Sequence, residues 1–155
     1  MSRGRWIGIG AAALLAAVAT VTIAVLRPDG DDGPETDPAA STVRVGDGPI
    51  GVEFDGADIW VSNSLSDGVA RIDPTTNTIT ATIAVADQPA GVAFDGSRVW
   101  VSNYGPGTVS AIDPATDTVI TTRRVGEQPF GMAFDGTDLW VANLSSGTVS
   151  RLGPA

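Results

Sequence analysis

The residues of this chain that carry chemistry recur at one interval. Trp60, Trp100 and Trp140 stand forty residues apart, in the blocks DIWVSNS, RVWVSNY and DLWVANL. Each block holds an asparagine, Asn63, Asn103 or Asn143, and follows an Asp-Gly pair that begins at Asp55, Asp95 or Asp135. Asp73-Pro74 and Asp113-Pro114 share the same spacing. Such a set is open to three chemistries. Carboxylates can serve as general acid and base, but most of these sit in Asp-Gly and Asp-Pro turns, where a local backbone role suffices. Indole rings can form a cage or stacking platform, which requires them exposed and near one another, and rings in separate layers of a repeat do not meet. Side-chain amides can bridge backbone groups of a turn or line a polar site. The chain contains no histidine and no cysteine, so it has no imidazole base, thiolate nucleophile or metal ligand of either kind. No catalytic residue, metal site or cofactor is therefore expected.

Charge narrows the partners. The chain carries a net −9, and from residue 28 onward 18 acidic residues face 6 arginines, a net −12. That surface repels nucleic-acid phosphates and anionic lipid headgroups. There is no lysine and no basic stripe. Arg3 and Arg5 precede an uncharged run over residues 6–26, which as a helix spans roughly 30 Å, the thickness of a bilayer core. Residues 1–27 are thus expected to be a signal-anchor that keeps the N-terminus in the cytoplasm and exports the rest. The rival reading is a secreted protein cleaved after the small residues AVA at 17–19. Residues 28–41, rich in Asp, Gly, Pro, Glu, Ser and Thr, form an acidic flexible linker. Its DGDDG fails the ligand offsets of a helical calcium loop. Without cysteine, an exported domain must be stabilised by packing alone.

The elements that position the repeated residues are short strands. Residues 51–90 laid over 91–130 without a gap give 19 identities in 40 positions, and a third copy runs from Gly131 to Ser150. Each copy predicts four strands, in the first copy 50–54, 59–63, 68–72 and 78–85, punctuated by Asp-Gly and Asp-Pro turns. Four antiparallel strands in about 40 residues make a β-propeller blade. The expected architecture is all-β: a three-blade propeller domain over 42–155 behind the transmembrane helix. Helical repeats are excluded by the missing 3.6-residue period.

The stretches DIWVSNSLSDGVARIDPTTNTITATIAV and RVWVSNYGPGTVSAIDPATDTVITTRRV resemble YVTN-type repeats, a bacterial relative of the NHL and WD40 propellers. The likeness rests on Trp-Val-x-Asn, Val-x-x-Ile-Asp-Pro and Thr-hydrophobic-x-x-Thr at this spacing, and covers residues 42–155. It implies a closed ring, usually of about seven blades, from which three blades depart. Some propellers of similar repeat type are streptogramin lyases, which use histidine and metal in a full ring. Others are sensor ectodomains outside membrane kinases. A chain without histidine, and with five residues before Trp6, is expected instead to be a membrane-anchored, extracytoplasmic, non-catalytic binding or scaffold module. Its partner would be an envelope protein or small ligand that the sequence does not name.

Within that frame Trp60, Trp100 and Trp140 are expected to be inter-blade core, with Phe54, Phe94, Phe134, Ile72 and Ile112 beside them. Gly51, Gly91 and Gly131 let backbones approach near the axis. The rim bearing Asp-Gly and Asp-Pro turns is monotonous. The opposite rim varies, with SLSD, YGPG and LSSG between second and third strands and Ile50, Ala90 and Phe130 before the repeated glycine. Ile50, Asn63, Asn103, Tyr104, Phe130 and Asn143 are the ligand or partner candidates there. Finally, TVRVGDG at 42–48 aligns with the fourth-strand segment 82–88, giving twelve strands in all. Two chains are expected to close head to tail as a six-bladed homodimer, each lending its 42–46 strand to the other.

Overall fold

A computed structural model describes residues 41–153. The expected membrane segment (1–27) and, apart from Ser41, the linker (28–41) lie outside the described residues. Among the described residues no helix is long and apolar enough to cross a membrane.

Among the described residues eleven strands form three antiparallel sheets. The first sheet holds β1 (Pro49–Phe54), β2 (Ile59–Asn63), β3 (Gly68–Asp73) and β4 (Thr78–Ala84) in sequence order. The second repeats it with β5 (Pro89–Phe94), β6 (Val99–Asn103), β7 (Thr108–Asp113) and β8 (Thr118–Arg124). The third has β9 (Pro129–Phe134), β10 (Leu139–Asn143) and β11 (Thr148–Leu152). Each sheet is a meander whose turns are chemically specified. Gly56, Gly96 and Gly136 supply the positive φ of the first hairpin, and Asp55, Asp95 and Asp135 accept the two following backbone N–H groups at 2.7–2.8 Å. Asn77 and Asp117 take the left-handed conformation that closes the turn after Asp-Pro, a region that Asn and Asp tolerate better than most residues.

The sheets stack face to face through two apolar layers. Between the first and second lie Trp60, Val69, Ile83, Val92, Val99, Val101 and Ile112. Between the second and third lie Ala93, Trp100, Val109, Ala111, Leu139 and Val141. Each sheet thus has a leading face, which meets the sheet before it, and a trailing face, which meets the sheet after. At the inner edge the contact is polar and goes through the backbone. The Ser62 hydroxyl accepts from Gly51 N at 2.8 Å and donates to the carbonyl of Ala90 in the next sheet. Ser102 does the same between Gly91 N and the Phe130 carbonyl, both at 2.8 Å. A Cβ on Gly51 or Gly91 would overlap those carbonyl oxygens, so the glycines serve the close approach expected of them.

One expectation requires correction. Trp60 and Trp100 are buried, at 0% and 4% exposure, but Trp140 is 38% exposed. Its indole lies on the trailing face of the third sheet, which no further sheet covers among the described residues. Residues 42–46 are not a strand within the chain, because an extended segment becomes one only where a neighbour completes its ladder. The segment is anchored at its end instead. The Asn63 amide donates to the Val45 carbonyl at 3.0 Å, while Ser64 N and Leu65 N donate to the carbonyls of Gly48 and Asp47.

Candidate binding rim

The loops between second and third strands share a rim with the connectors that enter each sheet. Tyr104 N donates to the Gln88 carbonyl and Leu144 N to the Gln128 carbonyl, both at 2.9 Å, and Ser64 N repeats the contact with Gly48 at 2.8 Å. Gln88 and Gln128 adopt positive φ to present those carbonyls. The varied segments are therefore held by a constant backbone frame.

Between the second and third sheets this rim opens into a groove of about 630 Å³. Gly105, Pro106 and Gly107 form one wall, the connector from Arg124 to Gln128 the floor, and Ser145, Ser146 and Thr148 the other wall. Arg124, Glu127, Gln128, Ser145, Ser146 and Thr148 give this lining a polar character. The arrangement suits hydrogen bonding and charge pairing with a polar partner rather than enclosure of an apolar one.

The candidate residues are not brought together. Asn63, Asn103 and Asn143 are buried; their amide N–H groups are engaged, Asn63 with the Val45 carbonyl, while the amide oxygens of Asn63 and Asn103 have no hydrogen-bond partner among the described residues. Asn103 donates to Thr108 Oγ1 at 3.0 Å and Ser110 Oγ at 2.9 Å; Asn143 donates to Thr148 Oγ1 and Ser150 Oγ and accepts from Gly126 N at 3.0 Å. They brace the rim from beneath. Tyr104 stands beside the groove, next to Gly105. Ile50 and Phe130 are half-exposed, and Phe130 faces a separate apolar hollow of about 340 Å³ with Gly131, Ala142, Asn143, Leu144 and Thr148. Among the described residues, no group of three or more His, Cys, Asp or Glu side chains is placed to hold a metal ion.

The opposite rim holds contacts that reading the sequence alone missed. Each Asp-Gly carboxylate also accepts from the indole N–H five residues later, Asp55 from Trp60, Asp95 from Trp100 and Asp135 from Trp140, all at 2.7 Å. Burial opposes ionisation of Asp55 and Asp95, but backbone N–H donors and the indole outweigh it, with the Arg71 charge helping Asp55 and the Ser97 hydroxyl helping Asp95, and both acids end below the usual range. At Asp135 the Asp138 N–H, the Trp140 indole and the Thr137 N–H bring the pKa down to about 2. The constant spacing of Asp and Trp was the available signal. A second missed group is Arg71. Its guanidinium lies 5.2 Å from the centroid of the Trp60 ring, pairs with Asp58 at 2.7 Å, and crosses to the next sheet, donating to the Pro114 carbonyl at 2.8 Å and Asp117 at 2.9 Å. Over Trp100 on this rim lies a hollow of about 360 Å³ lined by Asp95, Arg98, Phe134 and Leu139 among others.

Three stacked antiparallel meanders, joined through their inner strands, define an all-β fold consistent with propeller blades. No family model matches the chain, and no curated protein does. Solved structures do. Hydrazine synthase of Kuenenia stuttgartiensis is similar over 70% of this chain and 33% of that one, with a TM-score of 0.60 and 27% identity. Virginiamycin B lyase from Staphylococcus aureus is similar over 69% and 38%, with a TM-score of 0.60 and 16% identity. Both neighbours are β-propeller proteins with all-β sheets. The match spans only about a third of the length of the first and 38% of the second, and the likeness is one of fold.

Proposed function

We propose that this chain is a YVTN-type propeller segment, held on the outer side of a membrane by residues 1–27, that acts as a non-catalytic binding or scaffold module. The observation that carries the reading is the groove between the second and third sheets on the varied rim. Its loops differ from repeat to repeat, whereas the backbone contacts that seat them do not. Structural turns recur because their φ values are demanded, and contact residues are free of that demand. The partner is an envelope protein or small ligand with polar groups able to meet Arg124, Glu127 and the 145–148 hydroxyls.

A lyase is the second reading, favoured by the fold shared with virginiamycin B lyase. It would rest on carboxylates as its acid and base, since the chain has no histidine. Capture from an envelope extract by the full chain, with the recovered partner then titrated, separates binding from chemistry. Arg124→Ala with Tyr104→Ala is expected to weaken capture, and Thr75→Ala on the opposite rim to leave it intact. Equal capture by all three proteins would overturn the placement. Turnover of a streptogramin by the unmodified chain would replace the binding reading with the lyase.

A further inference from the structure

The two faces that no sheet covers among the described residues are matching halves of an interface the chain already makes twice. On the leading face of the first sheet Ile50, Val52 and Phe54 are exposed, whereas their counterparts Ala90 and Val92 in the second sheet are buried and Phe94 is largely so. On the trailing face of the third sheet Val149 is 61% exposed where its counterpart Val109 is 0%. In both internal contacts a trailing face receives the leading face of the next sheet. This chain displays one unused copy of each.

The connector geometry points the same way. Residues 47–48 already hold the place that 87–88 and 127–128 hold downstream of a preceding fourth strand, with the same backbone bonds to the loop of the sheet they enter. Residues 42–45 are therefore directed at the fourth-strand position of a preceding sheet. Among the described residues the third sheet has three strands, with β11 at its open edge.

We propose that a second copy of this chain covers both faces head to tail, adding its residues 42–45 to β11 and laying its first sheet on the third. The pairing of β3 with β4, carried across by the forty-residue repeat, sets the register. Gly68 opposite Ala84, Val69 opposite Ile83 and Ala70 opposite Thr82 become Thr148 opposite Arg44, Val149 opposite Val43 and Ser150 opposite Thr42 of the second copy. Arg151 lies over the Trp140 ring and pairs with Asp138, as Arg71 does with Trp60 and Asp58. Its guanidinium then reaches the Pro74 carbonyl and Asn77 of the second copy, where Arg71 reaches Pro114 and Asp117. One contact differs. Ala142 stands where Ser62 and Ser102 donate to the following sheet, and it helps line the apolar hollow of about 340 Å³. Ile50, larger than its counterpart Ala90, arrives at that hollow.

The chain has no cysteine, so engineered thiols report a single contact. Directly opposed strand residues lie within disulfide reach. Val43→Cys and Val149→Cys, placed on separate full-length chains and oxidised together in membranes, are expected to form a linked pair of twice the chain mass. Neither variant alone should do so. Gly131→Val, whose Cβ meets nothing within this chain, is expected to abolish the link while leaving the melting curve of the dissociated chain unchanged, because it would meet the Ile50 carbonyl of the second copy. Linkage of Val43→Cys to itself, a bond within one chain carrying both thiols, or a chain that stays single throughout would each overturn the proposal.

Discussion

At the scale of single residues, equivalent positions in the repeat are not equivalent in energy. Trp100 is enclosed between two sheets, and Trp100→Ala is expected to cost about 3–5 kcal/mol, the usual loss for a large aromatic removed from a core. Trp140→Ala in the dissociated chain should cost less than about half of that, since the residue is already 38% exposed. Denaturant melts of the two variants decide the order. The indole-bound carboxylates add a pH dependence. Asp55, Asp95 and Asp135 all have folded pKa values below the ordinary 3.8, so their contribution is fully present above that value. It is lost as the pH falls through each group's lowered folded pKa, which for Asp135 is about 2. Thermal melts should therefore be level in this respect above pH 4 and decline below it, and Asp95→Ala should flatten part of the decline. An acid limb unchanged in that variant would show that other groups carry it. The Asp-Gly turns were legible from composition because glycine is needed for positive φ. The indole bond was not, because it depends on how the hairpin sets the carboxylate beside the second strand.

At the scale of elements, alternation and turn chemistry placed the strands to within a residue or two, since each strand is bounded by Gly, Pro or Asp whose backbone demands are local. The exception is instructive. TVRVG at 42–46 has the same pattern as the fourth strands but no ladder partner in the chain, and β-structure is a property of pairs. Contacts between sheets were also hidden, because a serine in a strand carries no sign of which carbonyl it will meet. Ser102→Ala is expected to destabilise the fold by about 1–3 kcal/mol, leaving the Gly91 N–H and the Phe130 carbonyl without their shared hydroxyl. A double-mutant cycle on Arg71 and Asp117, whose side chains keep 23% and 36% of their exposure, should give a coupling below about 1 kcal/mol, as for other partly solvated pairs. A larger coupling would mean the clamp is shielded from water more than its exposure implies.

At the scale of the whole molecule, the repeat told the architecture because a forty-residue unit cannot bury both faces without neighbours, and the structure returns three such units in contact. The site was less legible. Candidates on one rim could be named, but Asn63, Asn103 and Asn143 turn inward, and the groove is built by Arg124, Glu127 and serines whose convergence needs two sheets in place. One detail of the stacking reaches further. The second strand of each of the first two sheets grips the next sheet by a main-chain oxygen, at Ala90 in one case and Phe130 in the other, so the grip is indifferent to which side chain that residue bears. The joint is portable: a gene in which codons 91–130 are written twice in tandem should encode a folded protein one blade longer, melting in a single cooperative step. Sequence change at the varied rim is thereby uncoupled from assembly, and the unit can be copied, deleted or decorated without redesigning the seam.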